Sequence, residues 1–177
     1  MEIKASSKYD WETIKEFNKF HNFTKAKALN IGLIVLEVVC VLLFLLAAAI
    51  DALDFGTIMI YVILLFMNIM LVFVRFVLPK IQYKQNKMLH GVVNEATFKE
   101  DEILIEQRGE NVNGTTTIKY DAVWRVYEAK EYIYIYVNSR QAYIINKSII
   151  IGGTAADLRM FLIKEIGISK YKLRCKV

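Results

Sequence analysis

Glu37 is the side chain of this sequence that most demands a chemical explanation. It lies eight residues inside residues 29–50, a run of 22 residues with no other acidic or basic residue. A charged side chain at that depth in hydrocarbon costs roughly 2.5–3.5 kcal/mol on insertion scales, so it must be protonated or face protein. Two chemistries fit: a proton or ion site, or a polar contact that locks helices together. Partners are available in a second apolar run, residues 57–78, interrupted chiefly by Asn68 and Arg75. If the two runs lie antiparallel about a turn near residue 53, the level of Glu37 falls near residue 70. Asn68 is then slightly beyond it, and Arg75 a little more than one turn nearer the flanks. Tyr61, Asn68 and Arg75 recur at intervals of seven, as do Asn30, Glu37 and Asp51 at multiples of seven. That period predicts a left-handed hairpin with a polar seam and a Glu37–Asn68–Arg75 contact that stabilises the hairpin or a homo-oligomer. A proton pathway is the alternative, and one carboxylate on two helices would need an oligomer to build it.

The other reactive residue types form no constellation. His21 and His90 stand in separate segments, with no cysteine near either. Cys40 and Cys175 form no CxxC and no evident pair, so neither a disulfide framework nor a cysteine metal site is expected, as suits a reducing compartment. No GxSxG, HExxH, Walker loop or kinase motif set occurs. Gly152-Gly153-Thr154 precedes a helical pattern and could present free N–H groups to an anion. No lysine follows the threonine, however, and Asp157 occupies the first turn, which reads as a helix cap. Glu100-Asp101-Glu102 reads as a solvated turn. The expectation is a protein without a catalytic residue, metal or cofactor.

Composition says what must hold these residues. Hydrophobic residues make up 55% of the 177 and charged ones 23%, with mean hydropathy +0.33, so apolar and charged groups must be segregated along the chain. A helix crosses hydrocarbon with about 20 apolar residues, and residues 29–50 and 57–78 each suffice. The link DALDFG is too short for anything but a tight turn. Six lysines (Lys4, Lys8, Lys15, Lys19, Lys25, Lys27) precede the first run, and Arg75, Lys80, Lys84 and Lys87 lie at the end of the second or just beyond it; the link holds none. The positive-inside rule then puts both termini in the cytoplasm, away from any glycosylation of Asn22-Phe23-Thr24 or Asn113-Gly114-Thr115. No cleavable signal peptide is expected in the polar first 28 residues. Lys25, Lys27, Lys80, Lys84 and Lys87 are placed to meet anionic lipid.

Residues 1–28 are expected to form an amphipathic helix in the membrane interface, with Trp11, Ile14, Phe17 and His21 at helical spacing and Phe20 and Phe23 widening the face. The rival placement is against the soluble domain. Residues 79–91 read as a basic linker. From residue 92 to 177 the period becomes two. Six strands are expected in VVNEATF, ILIEQRG, TTTIKY, AVWRVYEA, YIYIYVN and QAYIINKS, with Asn113-Gly114 as a hairpin signal and a turn at Ser139-Arg140. A helix follows in TAADLRMFLIKEIG, capped by Thr154 and Asp157 and ended by Gly167. The predicted fold is therefore a membrane α-helical hairpin of two spans plus an α+β domain, an antiparallel half-barrel closed by its C-terminal helix. Trp124, Tyr132, Tyr134 and Tyr136 are candidates for a partner surface, a stripe that could equally be a packed second layer. Residues 92–169 carry nine Lys/Arg and eleven Asp/Glu, a net of −2, which argues against nucleic acid. The basic tail, Lys170, Lys172, Arg174 and Lys176, is either near headgroups or frayed.

With its N-terminal aromatic helix, two-span hairpin, strand segment YDAVWRVYEAKEYIYIYVNSRQAYIINK and closing helix, the chain resembles the YcxB-like membrane proteins over nearly its whole length. The pattern rests on Tyr120, Trp124, Val126, the strand 132–137 and residues 144–147. The resemblance implies a domain similar to bacterial pleckstrin-homology and GRAM domains, in a bacterial inner-membrane protein without a defined activity. A phosphoinositide site is not expected, because the first hairpin turn reads Lys-Glu-Asp-Glu. The function expected is a non-enzymatic, membrane-anchored binding or scaffold protein whose β-domain holds a protein or peptide. The alternatives are protection or self-immunity against membrane-active peptides, and oligomeric transport through Glu37.

Overall fold

The computed structural model describes residues 2–25, 27–50, 54–139 and 141–174, without the side chains of Phe23, Lys25 and Leu29. The expectations for those three side chains, Asp51, Arg140, Cys175 and Lys176 lie outside the described residues. The chain divides into two compact units: Met1–Phe17 with Asn86–Val177, and Asn18–Gln85.

The second unit is helical. Helix α2 covers Lys27–Ala49 and α3 Phe55–Val72, both long and apolar enough to cross a membrane. Asp54 caps α3 through a 2.7 Å bond from the Thr57 N–H to its carboxylate. The only proline, Pro79, does not end the helix as the linker reading expected. A proline lacks an N–H and its ring crowds the carbonyl four residues back, here that of Arg75. The backbone widens into a π-helical turn at Phe73–Val77, with the Leu78 N–H bonded to the Phe73 carbonyl. It then continues as α4, Leu78–Gln85.

The first unit is an α+β domain. All six expected strands are present: β2 Val93–Phe98, β3 Glu102–Arg108, β4 Asn113–Lys119, β5 Arg125–Glu128, β6 Tyr132–Tyr136 and β7 Ala142–Asn146. Asn113 and Gly114 lie inside β4, opposite Arg108 and Gln107, so the turn precedes the Asn-Gly pair instead of using it. Helix α5, Ala155–Ile166, has the expected capping box between Thr154 and Asp157 and ends at Gly167 with φ +84°.

Three strands were not anticipated. β1 is Ile3–Lys8, β8 is Ile150–Ile151 and β9 is Tyr171–Leu173. One sheet runs β4-β3-β2-β1-β8 and the other β7-β6-β5-β9, and among the described residues they form no closed barrel. Every pairing is antiparallel except β5 with β9. The core gathers Ile3, Phe98, Ile103, Ile133, Ile135, Leu158 and Leu162 from both sheets and α5. Residues 1–28 therefore do not form one interfacial helix: residues 3–8 are a sheet strand, and α1, Trp11–Phe20, follows. The tail is not frayed through Arg174, because β9 pairs with β5 and the Arg174 N–H donates to the Glu128 carbonyl at 2.7 Å.

Candidate functional site

In the helical unit, the side chains partly shielded along α2 are Asn30, Leu33, Glu37, Cys40, Phe44, Ala47 and Ala48, and those along α3 and the π-helical turn are Thr57, Tyr61, Leu64, Asn68, Leu71 and Arg75. The alternating steps of three and four are those of a heptad seam. Phe44 and Tyr61 meet edge to face, ring centroids 4.6 Å apart. Towards the other end the seam opens. A polar cavity of about 240 Å³ is lined by Asn22, Asn30, Glu37, Asn68 and Arg75 among apolar neighbours. A second, apolar cavity of about 530 Å³ is lined from both helices, including Leu36, Cys40, Phe44 and Tyr61. Leu33, Glu37, Asn68 and Leu71 border both cavities.

The three seam residues are thus brought together, but around a space. Among the described residues, no hydrogen bond or ion pair joins Glu37 to Asn68 or Arg75, so the expected direct lock is corrected to a shared lining. Asn30 donates from Nδ2 to the Asn22 carbonyl at 2.5 Å, while its buried Oδ1 has no partner among the described residues. Two π-helical segments border the polar cavity: Asn22 comes from His21–Lys25, and Arg75 and Phe76 come from Phe73–Val77. Such widened turns recur at functional sites because they re-aim side chains out of the regular helical path.

The β-domain holds an arrangement that the sequence reading missed. Glu128 is fully buried on the core face of β5. Arg159 of α5 grips it through Nε and Nη2, each at 2.6 Å; Lys147 Nζ reaches it at 2.9 Å and the Tyr171 hydroxyl at 2.6 Å. Burial alone would raise this carboxyl, but the bonds from Arg159, Tyr171 and Lys147 prevail and hold it at about 2. Tyr171 shifts the opposite way, upward, through burial and its bond to Glu128. A buried carboxylate with every donor in place is a fastener: it ties β5, the end of β7, α5 and β9 together. Strand alternation marked it faintly, since Glu128 shares the inward parity of Val126.

The proposed partner surface is mostly covered. Tyr132, Tyr134 and Tyr136 are 7%, 1% and 0% exposed, whereas Trp124 is 38% exposed. Phe17 of α1 lies over two of these tyrosines, with centroid distances of 5.5 Å to Tyr134 and 6.4 Å to Tyr136, and Tyr127 meets Tyr136 edge to face at 5.6 Å. The stripe is a second apolar layer on the outer face of the sheet, the packed alternative of the sequence reading. Burial raises the Tyr134 hydroxyl and pushes that of Tyr136 up to about 12. An accessible backbone edge lies elsewhere: β4 ends its sheet, and Asn113–Thr117 are exposed. Lys27, Lys80, Lys84 and Lys87 are exposed as well. Among the described residues, no group of three His, Cys, Asp or Glu side chains is placed to hold a metal.

Comparison with known proteins finds one family match. Residues 98–162 match the family model described as YcxB-like protein. That span runs from the end of β2 into α5 and contains Glu128, Lys147 and Arg159. No curated protein and no solved structure matches the chain.

Proposed function

We propose that this chain is a non-enzymatic, membrane-anchored binding protein, with α2 and α3 crossing the bilayer as a hairpin and the α+β domain on the cytoplasmic side. The observation that carries the reading is the pairing of β1 with β2. β1 precedes the two long apolar helices and β2 follows them, yet they form a six-residue antiparallel ladder. The Gly91 N–H donates to the Tyr9 carbonyl at 3.1 Å, continuing the ladder towards the helices. A chain whose two flanks share one sheet must leave and re-enter on one side of any membrane. None of the residues in the most apolar windows of the two helices is buried, and water is a poor solvent for them. The lysines on both flanks and their absence from the link assign that side to the cytoplasm. Two sheets closed by α5, together with the family match, support a half-barrel similar to pleckstrin-homology domains.

The β-domain, in this reading, accepts an extended peptide as an added strand on β4. An edge strand offers unpaired N–H and C=O groups, and β4 presents Thr115, Thr116 and Thr117 with no proline and a single lysine at its end. Stable sheet edges are usually blunted by such residues.

Two experiments test this. Ala5 and Ala96 are direct partners in the β1–β2 ladder, a spacing that accepts a disulfide. In a chain with Cys40 and Cys175 replaced by Ser, Ala5→Cys with Ala96→Cys should crosslink within one molecule in intact membranes. A photo-crosslinker at Thr117 should yield polypeptide adducts. Outward N–H groups alternate along a strand, so one of Thr115→Pro and Thr116→Pro should abolish adducts while leaving the fold intact. Adducts that survive both prolines argue against strand addition, and an absent disulfide argues against the shared sheet.

A further inference from the structure

The seam between α2 and α3 holds two ionisable side chains, Glu37 and Arg75, with no protein partner among the described residues. Glu37 and Arg75 line the same cavity of about 240 Å³, and among the described residues the buried Asn30 Oδ1 meets no donor. Within apolar helices such groups are costly unless something completes them. A group that joins a protonated amine to an anionic oxygen supplies both kinds of partner at once, donors for Glu37 and Asn30 and an acceptor for Arg75. The adjoining cavity of about 530 Å³ is apolar, shares Glu37 and Asn68 with the polar one, and has Phe44 and Tyr61 in its wall. From Leu33 to Phe44 it extends roughly 16 Å at about 1.5 Å per residue, the reach of an acyl chain.

We infer that the hairpin binds one phospholipid whose headgroup joins a phosphate to a primary amine, of the phosphatidylethanolamine class. The headgroup sits among Arg75, Glu37 and the asparagines, and one acyl chain lies in the groove. Arg75 donates to phosphate oxygens, and the ammonium group donates to Glu37 and to Asn30 Oδ1. A second copy of the chain is the competing occupant, and the crosslinking arm of the test below distinguishes it. A soluble zwitterion would complete the charges but leave the apolar groove empty. The inference rests on the membrane-spanning reading. It does not depend on β4 or its partner.

The test uses the full chain purified in mild detergent, with phosphatidylethanolamine and phosphatidylglycerol of identical acyl chains added at equal concentration and retained lipid read by native mass spectrometry. One lipid per chain should be retained, with phosphatidylethanolamine favoured about tenfold. Arg75→Gln should lower retention of both lipids at least tenfold. Glu37→Gln should erase the preference while phosphatidylglycerol binding persists. Val41→Trp, which fills the groove without touching a charge, should lower retention of both, and it reads the site even where an Arg75 variant does not fold. Equal retention of the two lipids by the unaltered chain would overturn the inference, as would retention unaffected by Val41→Trp. Displacement of lipid by soluble phosphoethanolamine as readily as by a short-chain phosphatidylethanolamine would assign the pocket to a soluble ligand. A disulfide between two chains carrying Glu37→Cys and Arg75→Cys would assign it to a second copy. A chain that stays monodisperse without detergent would instead refute the membrane reading, whatever the lipid preference.

Discussion

Ile3 lies directly opposite Phe98 in an antiparallel ladder, although both long apolar helices separate them in the chain. Both side chains are buried in one core, Ile3 at 2% and Phe98 at 0% exposure. The first residues of the polypeptide thus complete a domain whose remainder is made only after the helices. A long loop closed in this way carries an entropic cost that grows slowly with length, so two inserted helices are tolerated where the ladder and core are good.

The β1 strand should therefore matter to a domain it is remote from in sequence. Ile3→Ala removes a core side chain and should destabilise the β-domain by about 2–5 kcal/mol. Protease resistance of the full chain in detergent would reveal it as earlier cleavage within residues 92–173. Resistance equal to that of the unaltered chain would contradict the assignment of β1 to the core.

The Glu128 fastener predicts a pH dependence with a definite sign. Its carboxyl titrates near 4.5 when unfolded and at about 2 when folded. The stability it contributes is then fully present above about 4.5 and is lost as pH falls towards about 2. Thermal unfolding in detergent between pH 7 and pH 3 should show this loss, and Glu128→Gln should show a smaller one across the same window. At neutral pH the Gln variant should be less stable by about 3–5 kcal/mol, since Arg159 and Lys147 are left facing an uncharged group.

The turn into α5 has two separable requirements. Thr154→Ala removes the acceptor of the Asp157 N–H and should cost about 1 kcal/mol. Gly152 is a harsher site: its φ is +82°, and an added Cβ would stand 2.6 Å from the Glu2 carbonyl oxygen. Gly152→Ala should cost more than the cap variant, by loss of the β1–β8 approach. The order of the two melting temperatures checks this, and a reversed order would refute it.

Phe17 shields the tyrosine layer, so Phe17→Ser should bring the Tyr136 hydroxyl, now pushed up to about 12, back towards an ordinary phenol. Absorbance titration at alkaline pH would register an additional tyrosine ionising at lower pH. An unchanged titration would place the shield elsewhere.

The features legible in the sequence were those with strong local signals. Twenty-residue apolar runs, period-two strands rich in Tyr, Ile and Val, and a Thr154–Asp157 cap need no tertiary information. β1 escaped because its inward residues are Ile3, Ala5 and Ser7, of which only one is a large apolar side chain. β8 is two residues long, and β9 lies in a stretch whose lysines suggested a solvated tail. The helix past Pro79 was missed because a π-helical turn absorbs the defect that usually ends a helix. In the seam, heptad spacing brought Glu37, Asn68 and Arg75 to one cavity, but spacing carries no information on how far apart two helices stand. For Glu128, inward parity was readable, whereas Lys147, Arg159 and Tyr171 are united with it only by the folded topology.

Sidedness of labelling tests the account most directly. Single cysteines at Lys4, Asp54 and Glu100, each in a chain with Cys40 and Cys175 replaced by Ser, would be exposed in sealed vesicles to a membrane-impermeant thiol reagent. Lys4→Cys and Glu100→Cys should label from one face and Asp54→Cys from the other. Labelling of all three from the same face, or of Lys4→Cys and Glu100→Cys from opposite faces, would contradict a hairpin whose flanks close into one sheet.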